Sequence, residues 1–372
     1  MNELQEIVQG MERLDAKGER GVLATVINVK GSAYRRAGAR MLFNESGREA
    51  GFVSAACLAG DLLDRARSAM EIGSAQLVTY DNTSPEAVLF GMSQGCTGLV
   101  EILLEPITPF SGRRLYHFLK TTLAQRKPAV LATVFAADVD APASPGDHAM
   151  LSEEGAFDAD IEDLPLVDEI RRDAQDVLEQ RKPLRIEYAS SAGIVRTFFD
   201  YIPEPVPLLL MGAGPEAIPL ARFAQELGWT VTVTDYRAPL LRPEFFPGVD
   251  RLIECPVEDV PERCEITERT NIVVTYHQFD AEAEALRQML SGDARYVGML
   301  GPRSKRELLL ARLESDGFIP SDEQLMRLYS PVGLDIGSET PTEIALAVVA
   351  EIRATIAGRE GGQLRRREGA IH

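Results

Sequence analysis

The segment LLLMGAGPEAIPLARFAQELGWTVTVTDYR, Leu208 to Arg237, constrains the fold more than any other part of the chain. An apolar run enters a glycine turn, a helical stretch follows, and an alternating strand ends on Asp235. Gly212, Gly214 and Ala217 occupy the positions of a G-x-G-x-x-A fingerprint. Gly212 permits the tight strand-to-helix turn, Gly214 lets backbone approach a phosphate, and Ala217 keeps the helix close to the sheet. The N-terminus of that helix offers unpaired N–H groups to an anion. Asp235 stands where an acid would accept hydrogen bonds from ribose hydroxyls and oppose a 2′-phosphate, which favours an NAD-like adenosine or another adenine nucleotide. Pro215 departs from the freest form of such a loop: it either begins the helix or fills space a ligand would use.

The elements around this segment extend the pattern. NIVVTY and ARYVGML read as further buried strands, each followed by a helical segment, which argues for a Rossmann-like parallel sheet in an α/β domain over residues 207–357. Thr340, Pro341 and Glu343 supply an N-cap, a first-turn proline and a capping-box acid to a final helix. Residues 358–372 read as a flexible polar tail. On the N-terminal side, the prolines between Tyr201 and Pro207 mark a boundary.

Residues 1–200 form the other domain, of α+β type, with an internal duplication. GVLATVINVKGSAYRRAGARMLFNESG, from Gly21, is matched by AVLATVFAADVDAPASPGDHAMLSEEG, from Ala129, with the shared VLATV beginning at Val22 in one and Val130 in the other. The two loops differ in charge. The first carries Ser32, Tyr34, Arg35, Arg36 and Arg40; the second carries Asp138, Asp140, Ser144 and Asp147. Only the first can neutralise an anion.

The opening MNELQEIVQGMERLDAKGER spaces Leu4, Ile7, Val8, Met11 and Leu14 as an amphipathic helix and is too charged for a secretory signal. No stretch has the length and apolarity of a membrane span, so the expected location is cytoplasmic. With 57 acidic against 39 basic residues the net charge is −18, which disfavours nucleic acid and acidic membrane surfaces as partners. The four cysteines, at 57, 96, 255 and 264, form no C-x-x-C pair, so neither a disulfide scaffold nor a structural zinc site is expected.

Six segments together carry a family resemblance: ATVINVKGSAYRRAGARMLF, SAACLAGD, GMSQGCTGLVEILLEPI, the glycine-turn segment, YVGMLGPRSKR and GLDIGSETPTEIA. In number and order they resemble the XdhC/CoxI family, accessory proteins that mature molybdenum hydroxylases such as xanthine dehydrogenase. The resemblance covers nearly the whole chain. It implies an N-terminal XdhC domain joined to a Rossmann domain, and binding of the molybdopterin form of the molybdenum cofactor. It further implies presentation of that cofactor to a cysteine desulfurase for sulfuration, delivery to a xanthine dehydrogenase-type hydroxylase, and a homodimer.

Residue by residue, the resemblance places Cys57 in the family's SGGCLE segment, as a soft ligand for molybdenum or a participant in sulfur handling. Ala55, Ala56 and Ala59 depart from that segment, replacing two glycines and an acid. Cys96, in GMSQGCTG, is the candidate to converge with Cys57. Simple packing as small buried side chains is an equal reading for either cysteine alone. Ser32, Arg35, Arg36 and Arg40 are candidates for phosphate or pterin carbonyls, against the bland reading of a basic turn in surface ion pairs. In the second domain, His277 follows the strand IVV and can relay a proton or donate to a pterin. Gly301, Arg303, Ser304 and Lys305 form a second anion-facing turn. Asp335 and Glu339 either line the crevice or orient the last helix, and for Thr340 capping is the better explanation.

A maturation chaperone is thus favoured over a stand-alone enzyme. Two alternatives stand beside it: an NAD-dependent oxidoreductase built on Gly212, Gly214 and Asp235, and a nucleotide-binding regulatory protein that has lost cofactor handling.

Overall fold

The structure is a computed structural model and describes residues 2–31, 34–53, 56–81, 98–108 and 112–367. The chain divides into two compact units, one reaching Glu204 and the other spanning Pro205–Arg367.

The first unit is built twice from one plan. Helix α1 (Asn2–Lys17) precedes strands β1 (Gly21–Gly31), β2 (Arg40–Asn44) and β3 (Gly47–Gly51), then α2 (Ala56–Ile72), β4 (Gln76–Asp81) and β5 (Gly98–Ile107). Helix α3 (Arg113–Gln125), β6 (Ala129–Ala137), β7 (His148–Ser152), β8 (Phe157–Ala159), α4 (Leu164–Gln180), β9 (Leu184–Ser190) and β10 (Gly193–Ile202) repeat that order. The two antiparallel sheets have the orders β3-β2-β1-β5-β4 and β8-β7-β6-β10-β9, which are the same order.

The correspondence extends to register. Val22 pairs with Phe43 in one copy and Val130 with Leu151 in the other, so both partners advance equally along the chain from one copy to the next. A bulge interrupts β1 at Ile27 against β5, and β6 carries its own bulge against β10 at Phe135, the position equivalent to Ile27. Bulges add a residue and bend a strand locally, so an identical bulge in both copies is strong evidence of common descent.

Alternation then sorts the side chains by face. Val22, Ala24 and Val26 pack with Leu62, Ala66 and Ala69 of α2, while Val130, Ala132 and Val134 pack with Ile170, Ala174 and Val177 of α4. The opposite faces join the copies. Leu23 and Leu131 share one cluster with Ile7 and Met11 of α1 and Leu115 and Leu119 of α3, and the two bulge residues, Ile27 and Phe135, share another with Leu103 and Phe198. Each such fully buried side chain contributes about 1.5–3 kcal/mol.

The second unit carries a six-stranded parallel sheet in the order β13-β12-β11-β14-β15-β16. Its strands are β11 (Pro207–Met211), β12 (Thr230–Asp235), β13 (Arg251–Glu254), β14 (Asn271–Val274), β15 (Tyr296–Met299) and β16 (Leu328–Tyr329). Helices α5 (Ala217–Glu226), α6 (Val260–Arg263), α7 (Phe279–Ser291), α8 (Arg303–Ser315), α9 (Asp322–Met326) and α10 (Pro341–Ile356) intervene. This is the doubly wound dinucleotide order, in which ligands bind beyond the carboxyl ends of the strands where the order reverses, here between β11 and β14. Both faces are covered: α5 and α10 on one, α7 and α8 on the other. At α10 the capping box forms, with the Thr340 side chain accepting from the Glu343 N–H and the Glu343 carboxylate accepting from the Thr340 N–H.

Candidate functional site

At the switch point of the parallel sheet, β11 runs into a turn that only glycine accommodates. Gly212 has φ +117°, and a Cβ there would lie 2.7 Å from Thr275 Oγ1 and 2.9 Å from the Thr275 carbonyl carbon. The Thr275 hydroxyl donates to the Gly212 carbonyl at 2.8 Å, binding the loop after β14 to the loop after β11. Pro215 sits in the exposed turn before α5.

His277 and the glycine loop converge. His277 Nε2 lies 3.2 Å from Glu216 Oε2, and a Cβ on Gly214 would be 3.1 Å from that same carboxylate oxygen and 3.9 Å from the imidazole nitrogen. The His277 side chain is 58% exposed, open to a ligand or proton donor, while Glu216 is 22% exposed. Reasoning from sequence misses Glu216, because a carboxylate beside a turn proline looks like ordinary surface. Its place in the fingerprint, just after Gly214 and Pro215, is the signal that could have found it.

Asp235 ends β12 as expected, but its carboxylate is turned to the protein. Oδ2 accepts from the Ala213 N–H at 2.8 Å and from Arg237 Nη2 at 2.9 Å; Oδ1 accepts from the Arg237 N–H at 2.8 Å and from Arg237 Nε at 2.9 Å. A carboxylate offers about four acceptor positions, and these contacts fill them. Burial opposes the charge, but the Arg237 guanidinium and the two backbone amides outweigh it and hold the carboxyl below its ordinary range. The ribose-binding role expected of Asp235 therefore does not fit its surroundings: it braces the glycine loop instead. Arg237 also covers the Tyr236 ring, 5.1 Å from its centroid.

The turn after β15 divides in two. Gly301 has φ +126°, and Lys305 turns inward to an ion pair with the buried Glu282. Arg303 and Ser304 stay exposed at the start of α8, with Arg303 3.6 Å from Glu307. Asp335 and Glu339 are also exposed, the Glu339 N–H donating to Glu343 in the cap of α10. Cys255 and Cys264 are core residues; burial raises both thiols, Cys264 to about 11 with Cys255 beside it, which leaves them unreactive.

In the first unit the arginine loop does not close as a clamp. Arg40 is buried, its guanidinium 2.7 Å from Asp200 Oδ2 of the second repeat, so its expected role as an anion ligand is replaced by a structural one. Arg35 pairs with Glu3 at 2.5 Å. Arg36 is exposed and is paired with no described residue, so it is the loop guanidinium left for a ligand. The acids of the second loop bind local backbone: Asp147 accepts from the Ser144 N–H and Asp138 from the Ile194 N–H. Ser32, Cys96 and the side chain of Cys57 lie outside the described residues; the backbone of Cys57 belongs to α2.

A second ion pair mirrors the first. His148, which holds the place of Arg40 in the second repeat, has Nε2 2.9 Å from Glu105 Oε1 of the first repeat and Nδ1 3.7 Å from Asp160. The Glu105 contact is off the line of a hydrogen bond, so it is electrostatic. Burial alone would lower the His148 pKa, but Glu105 and Asp160 outweigh it and raise it to about 9. Among the described residues of this unit, a cavity of about 370 Å³ lies between α1 and α3, lined by Glu12, Asp15 and Glu19 from the α1 side and by Arg113, Tyr116 and His117 of α3.

Comparison with known proteins accounts for both units. Residues 208–352 match the XdhC Rossmann domain, and residues 14–81 and 122–189 each match the XdhC and CoxI family, one match to each copy of the repeat. The chain is 33% identical to a protein of Bacillus subtilis (strain 168) named as a probable xanthine dehydrogenase subunit, over 91% of this chain and 93% of that one. It is 22% identical to the "Molybdenum cofactor insertion chaperone PaoD" of Escherichia coli (strain K12), over 90% of this chain and 83% of that one. A crystal structure described as a xanthine dehydrogenase from Bacillus halodurans superposes with a TM-score of 0.73 at 27% identity, covering 95% of this chain and 96% of the other. By its full-length relative, its twice-matched first unit and its Rossmann unit, this chain belongs to the XdhC and CoxI family.

Proposed function

We propose that this protein is an accessory factor that holds the molybdenum cofactor in its molybdopterin form, presents it for sulfuration by a cysteine desulfurase, and passes it to a xanthine dehydrogenase-type hydroxylase. The cofactor is cargo. The relatives named for xanthine dehydrogenase and for molybdenum cofactor insertion support this reading at the level of the system. The single observation that carries it to residues is the convergence of the Gly212–Gly214 loop and His277 at the reversal of strand order, the place where doubly wound sheets take phosphate-bearing ligands.

In this reading the glycine loop and the N-terminus of α5 take the phosphate, and His277 donates a hydrogen bond or moves a proton at Nε2. The exposed turn of Arg303 and Ser304 adds donors. The first unit, taken by itself, offers the exposed guanidinium of Arg36, and the family resemblance adds Cys57 and Cys96 to that unit as soft ligands suited to molybdenum or its terminal sulfur. The saturated carboxylate of Asp235 weighs against an NAD-dependent oxidoreductase. Purification of the intact protein after anaerobic loading, with molybdenum and pterin quantified together, tests the proposal. Retention of both in equal amounts is expected, and retention of neither overturns it.

A further inference from the structure

Two carboxylates surround the glycine loop, and they act differently. Asp235 lies beneath it and takes the Ala213 N–H into the protein. Glu216 lies above it. Its Oε2 is where a Cβ on Gly214 would make a 3.1 Å contact, so the side chain folds back over the residue whose lack of a side chain opens the loop to a phosphate. Glu216 also stands at the N-cap of α5, a ten-residue helix, without a capping hydrogen bond from its side chain. Its carboxylate is instead tied sideways to His277 Nε2 at 3.2 Å.

We infer that Glu216 is a built-in competitor for the anion seat of the glycine loop. His277 holds it over Gly214, and a phosphate-bearing ligand enters by displacing it. This rests on the reading that the loop receives the phosphate of the cargo. A carboxylate at the start of a helix gains from the helix dipole, and a second anion at the same place loses that gain and meets like charge. The resident carboxylate therefore weakens every phosphate ligand, and a ligand succeeds only through contacts made elsewhere along its length. Small phosphates would bind weakly and a large cofactor would be retained. Displacement also releases His277 Nε2 to the incoming ligand, so one movement clears the seat and supplies a hydrogen-bonding partner.

Calorimetric titration of the intact chain with inorganic pyrophosphate, at low ionic strength in metal-free buffer, tests this inference. Glu216→Gln and Glu216→Ala should each bind pyrophosphate about tenfold more tightly than wild type. Glu314→Gln, which removes an equal charge from the exposed side of α8, should not. The inference is overturned if the Glu216 variants bind no more tightly than wild type, if Glu314→Gln tightens binding equally, or if none of the four proteins binds pyrophosphate. Loss of cofactor retention by wild type would remove the cargo reading while leaving this result standing. Cofactor retention without tighter pyrophosphate binding in the variants would remove the competitor alone.

Discussion

Arg40 and His148 stand at the same register position in two copies of one strand, and each closes a buried contact with an acid from the other copy. Arg40 meets Asp200 and His148 meets Glu105. The two acids are themselves equivalent, since Glu105 faces Leu23 on β1 and Asp200 faces Leu131 on β6. The first unit is thus fastened across its internal symmetry by two crossed ion contacts, one with a permanent cation and one with a cation that titrates.

The permanent pair gives a stability prediction. Removing one partner of a buried ion pair leaves the other charge unsatisfied, so Asp200→Ala should destabilise the first unit by about 3–5 kcal/mol in denaturant unfolding. Replacing both partners with apolar residues, Arg40→Met with Asp200→Leu, should recover most of that loss. A single variant of wild-type stability would refute the structural role assigned to Arg40.

The titrating pair predicts a pH dependence. The His148 pKa is raised from 6.5 to about 9, so its contribution is complete below pH 6.5 and is lost as pH rises through about 9. The contribution is on the order of 3 kcal/mol. Thermal unfolding followed from pH 6 to pH 10 should show a falling Tm for wild type, with a shallower fall in His148→Gln. Equal slopes would exclude His148 as the source.

Much of this is legible in the sequence and some is not. The duplicated phrase at Gly21 and Ala129, the glycine turn at Gly212 and the cap at Thr340 are local patterns of spacing and residue type, and the structure contains all three. The ion contacts are not local. Arg40 and Asp200 are separated by most of the first unit, and nothing in the loop around Arg40 distinguishes an arginine that faces a ligand from one that faces a strand of the other repeat. Asp235 escapes the sequence for a related reason. Its position at the end of β12 follows from the fingerprint, but its saturation depends on how Arg237 folds back, which spacing does not determine.

The glycine turn is also testable by substitution. Gly212→Ala places a methyl group against the Thr275 backbone at a φ that costs about 1–3 kcal/mol on its own. Its denaturant midpoint should fall for the second unit, with pyrophosphate binding lost. A variant with wild-type stability and binding would show that the turn tolerates a side chain.

Arg237 is predicted to govern adenosine recognition. Wild type should bind NADH weakly because Asp235 has no acceptor position left, and Arg237→Ala should strengthen binding by releasing two side-chain contacts. NADH fluorescence titration checks this. Tight binding by wild type, unchanged in the variant, would restore the dinucleotide reading.

Whether this chain carries the molybdenum cofactor is decided by anaerobic co-purification of wild type and Cys57→Ser, with folding verified by circular dichroism. Molybdenum and pterin should be retained in equal amounts by wild type and reduced together in Cys57→Ser; a folded wild-type protein that retains neither would refute the role of cofactor carrier.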